Sequence, residues 1–205
     1  MKSLKSLKTV RLREQPIVSG ILVVINVIVF GICFFTGDNL YTLGQVDVDH
    51  VFGQGEYGRV IYSMFLHADF RHLVSNMFIL LFLGMMIEKA VGHVRFIFFY
   101  FFSGICGNLV SLYFKAISGE FTIGSIGASG AIFGLEGVLL ALVLLWGEKL
   151  EDVTLVRVLF MVGYSVYAGF LEQSIDNAAH VGGLLTGFLW TVVMCLVEKR
   201  RSSRK

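Results

Sequence analysis

The chain has 205 residues, of which 56% are hydrophobic and 16% charged, with a formal net charge of +2 and a mean hydropathy of +0.76. Soluble domains carry about 25% charged residues, and one globular core could not hide this apolar surplus. A soluble fold is therefore excluded, and the bilayer is the solvent. Six apolar stretches follow one another: Ile17–Thr36, Leu66–Ile87, Phe96–Ile117, Ile126–Trp146, Val153–Leu171 and Ala178–Val197. Each is close to the ~20 residues that cross about 30 Å of hydrocarbon. Their apolarity is unbroken, whereas barrel strands would alternate with a period of two. Helices, which satisfy their own backbone in lipid, are predicted. The expected fold is all-α, a polytopic six-transmembrane-helix bundle over residues 17–197 with basic tails at 1–16 and 198–205.

The first stretch follows five basic residues, as a signal core would. It is longer than a signal core and no A-x-A site follows it, so it reads as a retained helix. Cys33, Cys106 and Cys195 all lie in apolar runs. They read as small buried hydrophobes, not as a disulfide framework or a metal set. Fourteen of the 17 Lys and Arg residues fall on the side of the two tails, and only Arg59, Arg71 and Lys115 on the other. The positive-inside rule places both termini in the cytoplasm, with the plasma membrane as the expected location. The longest connection, 37–65, is on the outer side. It mixes Tyr41, Val46, Val48, Val51, Phe52, Tyr57 and Val60 with acids and glycines, a composition suited to the membrane interface.

Polar residues inside spans are costly, so each is a candidate functional group. The second span opens with HADFRHLVSN. His72 and Asn76 are four apart and share a helix face, while His67 points elsewhere and also reads as an interfacial residue at a helix entrance. The fourth span opens with GSIGASGAIFG. Ser129 lies between Gly127 and Gly130 near a helix amino-terminus, whose free N–H groups favour negative charge. It is not the soluble hydrolase elbow, since residue 131 is alanine. Glu136, seven residues on, reads as a protonated or hydrogen-bonded structural acid facing the bundle. The sixth span opens with NAAHVGGLLTG. His180 is in its first turn, with Gly183 and Gly187 on the same face, a G-x-x-x-G pair that admits a close neighbour. Gly130, Gly134 and Gly137 offer matching small residues on the fourth span. Ser129 and His180 are thus expected at similar depth on helices able to touch.

A serine hydroxyl needs a base to become a nucleophile, and His180 can take its proton and return it to the leaving amine. No Asp or Glu stands out as an orienter of His180, so a dyad is expected, with Asn177 a candidate hydrogen-bonding aid. The Ser129 N–H, His72 and Asn76 are candidate donors to an oxyanion.

Three segments together resemble the rhomboid family of intramembrane serine proteases. HADFRHLVSN is similar to its H-x4-H-x3-N motif, GASGAIFG to its G-x-S-G nucleophile segment, and AAHVGG with Gly183 and Gly187 to its last-helix motif. The order and spans also match, over about residues 17–197, in the minimal six-helix bacterial form. The resemblance implies Ser129 as nucleophile, His180 as general base, and His72 and Asn76 on the oxyanion side. It implies that Phe133 packs on the catalytic histidine, that Glu88 is structural, and that Arg59 is the arginine of the first outer loop. Gly58 departs from the family's frequent Trp-Arg pair, which bears on membrane anchoring of that loop. The implied substrates are single-pass membrane proteins cut in or near the outer part of their transmembrane helix. The lipid bilayer is the other expected partner, with no cofactor, no metal and no nucleic acid. A proteolytically inactive, client-binding relative and a small channel or transporter are the alternative readings.

Overall fold

The structure is a computed structural model that describes residues 15–37, 39–146, 153–171 and 175–203. The basic residues Lys2, Lys5, Lys8, Arg11, Arg13, Lys149, Arg204 and Lys205 lie outside the described residues. Eight α-helices run in order among the described residues: α1 Val18–Thr36, α2 Asn39–Gly44, α3 Arg59–Tyr62, α4 Phe70–Val91, α5 His93–Ser118, α6 Ser129–Trp146, α7 Leu155–Leu171 and α8 Asn177–Ser203. The chain is an all-helical, polytopic bundle. Four helices, α1, α4, α5 and most of α8, are long and apolar enough to cross a membrane, while α6 and α7 are shorter apolar helices. At 1.5 Å per residue, the 18 and 17 residues of α6 and α7 extend about 27 and 26 Å.

Boundaries differ from the sequence expectation for local reasons. The second apolar stretch begins at Leu66, but Leu66 is extended and α4 starts only at Phe70. Asp69 sets the start, since its carboxylate accepts the His72 N–H at 2.8 Å as an N-cap. Gly92, at φ 86°, separates α4 from α5, which opens at His93 instead of Phe96. The last helix continues through Lys199, Arg200 and Arg201 to Ser203, well past Val197. Basic side chains are favourable at a helix carboxyl end, so nothing in those residues stops it.

The amino end of α1 is fastened by an acid from α4. Glu88 is buried and accepts from the N–H groups of Ile17, Val18 and Ser19 at 2.8–2.9 Å and from the Ser19 hydroxyl at 2.8 Å. The first N–H groups of a helix have no intrahelical acceptor, so one carboxylate satisfies several at once. This is the structural role expected for Glu88.

The core is built around α6, whose Ala131, Ile132, Leu135, Val138, Leu139, Ala141 and Leu142 are all buried. It meets α8 at backbone distance and α5 through small side chains. A methyl group on Gly183 would stand 2.0 Å from the Gly130 carbonyl oxygen, and one on Gly187 would stand 2.0 Å from that of Gly134. On α6, a methyl on Gly137 would meet the Leu184 oxygen at 2.1 Å, and one on Gly134 the Ser103 side chain at 2.1 Å. The small residues read from the sequence as contact faces do pack together.

The connection from 37 to 65 is folded, not extended. It holds α2, a π-helical turn at Asp49–Gly53, α3 and a 3-10 turn at Ser63–Phe65. Val46, Val48, Val51 and Val60 form a small core with Leu112 of α5. Arg59 is buried, donating to Glu56 at 2.5 Å and to the carbonyls of Thr42 and Gln45 at 2.8 and 3.0 Å. A Cβ on Gly58 would sit 2.8 Å from the Tyr62 ring, so that ring lies against this glycine. Tyr57 and Tyr62 are both exposed there, and amphipathic aromatic rings favour a membrane–water boundary. Among the described residues none of the three cysteines is in a disulfide, with Cys33 buried and Cys106 and Cys195 half-buried.

Two outcomes follow from these contacts. Glu88→Ala orphans several buried donors and should destabilise the protein by on the order of 3 kcal/mol, read as a lower unfolding midpoint in detergent. Gly183→Val should lower that midpoint too, because the nearest obstacle is backbone that cannot rotate away. A normal midpoint for both variants would contradict the packing described.

Candidate active site

Ser129 is the first residue of α6, so it stands among the N–H groups of the first turn that lack an intrahelical acceptor. His180 is in the first turn of α8 and is buried. The close α6–α8 contact brings the two together, and His180 Nε2 lies 2.7 Å from Ser129 Oγ. Phe133, one turn after Ser129, stacks on the His180 ring with centroids 4.1 Å apart and planes 13° from parallel. The imidazole is therefore fixed by a hydroxyl at one edge and an aromatic face on one side.

His180 Nδ1 is buried and has no hydrogen-bond partner among the described residues. Asn177 does not supply one. Its amide donates instead to the Gly169 carbonyl of α7 at 3.1 Å.

His72 reaches the same place from α4. A Cβ on Gly127, whose φ is 131°, would lie 2.9 Å from both Cε1 and Nε2 of His72 and 3.6 Å from Ser129 Oγ. Only glycine tolerates both that backbone angle and that neighbour. His72 Nδ1 accepts the Ala68 N–H at 3.4 Å, which leaves Nε2 as the protonated nitrogen of the neutral ring, facing the turn before Ser129. Asn76, on the same face of α4, is buried, and its amide Nδ2 has no hydrogen-bond partner among the described residues.

His67 stands apart from the Ser129–His180 pair but not from His72. It is fully buried, and its ring centroid is 5.0 Å from that of His72. Glu136 also faces inward, away from the histidines in its bonding, and accepts the Ser165 hydroxyl of α7 at 2.8 Å. This agrees with the reading of a hydrogen-bonded structural acid. Among the described residues, no group of three His, Cys, Asp or Glu side chains is placed to hold a metal ion.

Sequence reasoning missed Asp176. It precedes α8 and accepts the Ala179 N–H at 3.0 Å and the hydroxyls of Ser111 and Ser125. Lys115 Nζ is 3.4 Å from the same carboxylate. The signal available was its position one residue before the last helix, where Asp is a preferred cap.

The profile of the Rhomboid domain matches residues 54–197 of this chain. The chain belongs to the rhomboid family. Among its rhomboid relatives, "RHOMBOID-like protein 6, mitochondrial" of Arabidopsis thaliana is 38% identical over 157 residues, covering 75% of this chain and 48% of that protein. "Putative rhomboid protease YdcA" of Bacillus subtilis is 33% identical over 147 residues, covering 72% of this chain and 71% of that protein. "Rhomboid protease GluP", also of Bacillus subtilis, is 28% identical over 179 residues, covering 85% of this chain and 34% of that protein. The chain spans half or less of the length of the Arabidopsis rhomboid relatives it matches. The rhomboid family thus includes membrane proteins named as proteases, and the residues of all three motifs fall inside the matched region.

The rhomboid bundle also carries a pH signature. Burial, with a smaller contribution from the neighbouring His72, pushes the His67 pKa down to about 4, against an ordinary value of 6.5. Between those values the folded protein binds fewer protons at His67 than the unfolded chain does, so stability falls as pH drops from about 6.5 to about 4. The unfolding midpoint should decrease across that window, and His67→Gln should make the decrease smaller. An unchanged pH slope in the variant would mean that His67 is not a neutral, buried imidazole.

Proposed function

We propose that this chain is an intramembrane serine endopeptidase that cuts membrane-protein substrates by a Ser129/His180 dyad. The single observation that carries the reading is the 2.7 Å contact between Ser129 Oγ and His180 Nε2 at the amino ends of two packed helices. In this mechanism His180 Nε2 takes the hydroxyl proton as Ser129 Oγ attacks the scissile carbonyl carbon. The resulting oxyanion is held by the Ser129 N–H, His72 Nε2–H and the Asn76 amide. His180 then protonates the leaving amine as the C–N bond breaks, giving an ester on Ser129. A water activated by His180 hydrolyses that ester and restores the hydroxyl.

The family's substrates supply the expected class here, single-pass membrane proteins cut in or near the outer part of their helix. The distribution of Lys and Arg supports a plasma-membrane orientation with both termini cytoplasmic. An inactive client-binding relative would have no use for a serine and a histidine in hydrogen-bonding contact. A conducting path is not favoured by a Glu136 that is buried and bonded to Ser165.

Ser129→Ala and His180→Ala should each abolish cleavage of a model membrane substrate in liposomes while the protein stays folded. Substantial cleavage by purified Ser129→Ala would end this mechanism. Asn76→Ala should lower kcat by roughly 10²–10³, about 3–4 kcal/mol, if it donates mainly to the developing oxyanion. KM should change little, because the ground-state carbonyl is less charged. A raised KM with kcat spared would make Asn76 a substrate-binding residue instead.

A further inference from the structure

We propose that Asp176 is a positioning residue for the dyad, clasping the segment that leads into Ser129 to the start of the helix that carries His180. The proposal rests on the endopeptidase reading above. Its first support is connectivity. Asp176 Oδ1 accepts the N–H of Ala179, the residue immediately before His180, and the His180 N–H bonds to the Asp176 carbonyl at 3.2 Å. Asp176 Oδ2 accepts the hydroxyl of Ser125, four residues before Ser129, and that of Ser111 on α5. One carboxylate thus joins the two chain segments that enter the active site, each a single helical turn's worth of residues away from its reacting side chain.

The second support is how firmly the clasp is held. Lys115 of α5 donates to the Ser125 hydroxyl and to the Ile123 carbonyl, the latter at 3.0 Å, while its ammonium lies 3.4 Å from Asp176 Oδ2. Ser125 is paired through its backbone with Val46, by N–H to O bonds of 3.0 and 2.9 Å, so the clasp is also tied to the outer loop. Burial pushes the Asp176 carboxyl upward in pKa, yet the hydrogen bonds from Ser111, Ser125 and Ala179 and the Lys115 charge together hold it below the usual range. It is a carboxylate at neutral pH, and charge-assisted bonds are the stronger kind.

The third support is what the dyad lacks. Among the described residues His180 Nδ1 has no hydrogen-bond partner, so no described acid orients the ring directly. The ring's place is set by Phe133 and by where α8 begins. The glycine contacts fix the two helices within the bundle, and the clasp fixes their amino ends, where the chemistry is.

The test uses the full chain in liposomes, with kcat normalised to active sites counted by a fluorophosphonate, so that unfolded protein is not scored. Asp176→Ala and Ser125→Ala should each lower this kcat by about 10- to 100-fold, as expected for displacements near 1 Å, with KM unchanged. Because the two share one hydrogen bond, the double variant should be no slower than the slower single variant. Wild-type kcat per site in both single variants, or losses that multiply in the double, would overturn the proposal. Should Asp176→Ala fail to fold, Ser125→Ala decides it, since that change leaves the α8 cap in place. Ser129→Ala runs alongside. Cleavage by Ser129→Ala would refute the endopeptidase reading itself, whereas a dead Ser129→Ala with fully active Asp176 and Ser125 variants would refute the clasp alone.

Discussion

The approach of α6 to α8 at backbone distance is the constraint on which the site depends. A carbonyl oxygen 2.0 Å from where a methyl would stand leaves no room for any side chain at Gly183 or Gly187. In lipid there is no hydrophobic force to push helices together, and association comes from close packing. Those glycines therefore determine the distance at which two polar side chains meet. A hydrogen bond of 2.7 Å between residues 51 positions apart in sequence is the consequence. Any looser seam would leave a serine and a histidine as two unrelated polar residues in adjacent helices.

Around that seam the other polar groups divide by location. At the opposite end of the bundle Glu88 closes the start of α1. At the site's end Asp176 closes the start of α8 and takes in α5 and the loop before α6. Both acids answer the same need, which is to satisfy helix N–H groups where water is scarce. The buried residues of α7 are Val158, Val162 and Gly169. Side-chain hydrogen bonds tie it to the bundle through Ser165 to Glu136 and through the Asn177 amide to the Gly169 carbonyl.

The six apolar stretches, the small-residue faces and the Ser129–His180 pairing were legible in the sequence, because hydropathy and glycine spacing each report a single physical demand. Helix starts were less so. Leu66 is as apolar as the residues that follow, and only the capping geometry of Asp69 moves the start of α4 to Phe70. For Asp176 only the capping position was legible, not its partners. Its partners Ser111, Lys115 and Ser125 come from elements 51 to 65 residues away, and serines in such segments carry no distinctive pattern. Asn177 shows the converse, a residue whose spacing suited an orienter but whose amide is taken by Gly169. The long connection 37–65 read as interfacial, and its fold around buried Arg59 and four valines came from contacts that hydropathy does not encode.

In the proposed mechanism, no acid among the described residues bonds to His180 Nδ1, and this shifts where the barrier is lowered. When His180 takes the serine proton, the imidazolium faces Phe133 at 4.1 Å. Such a cation–π contact contributes about 0.5–2 kcal/mol, whereas each oxyanion donor contributes roughly 3–4 kcal/mol. In that mechanism three donors to the oxyanion would outweigh one aromatic face on the cation. The rate then depends more on how well α4 presents His72 and Asn76 to the start of α6 than on the surroundings of the base. Gly127 bears on that presentation. It is the residue that lets the His72 ring lie against the chain just before Ser129, with no Cβ to hold the two apart.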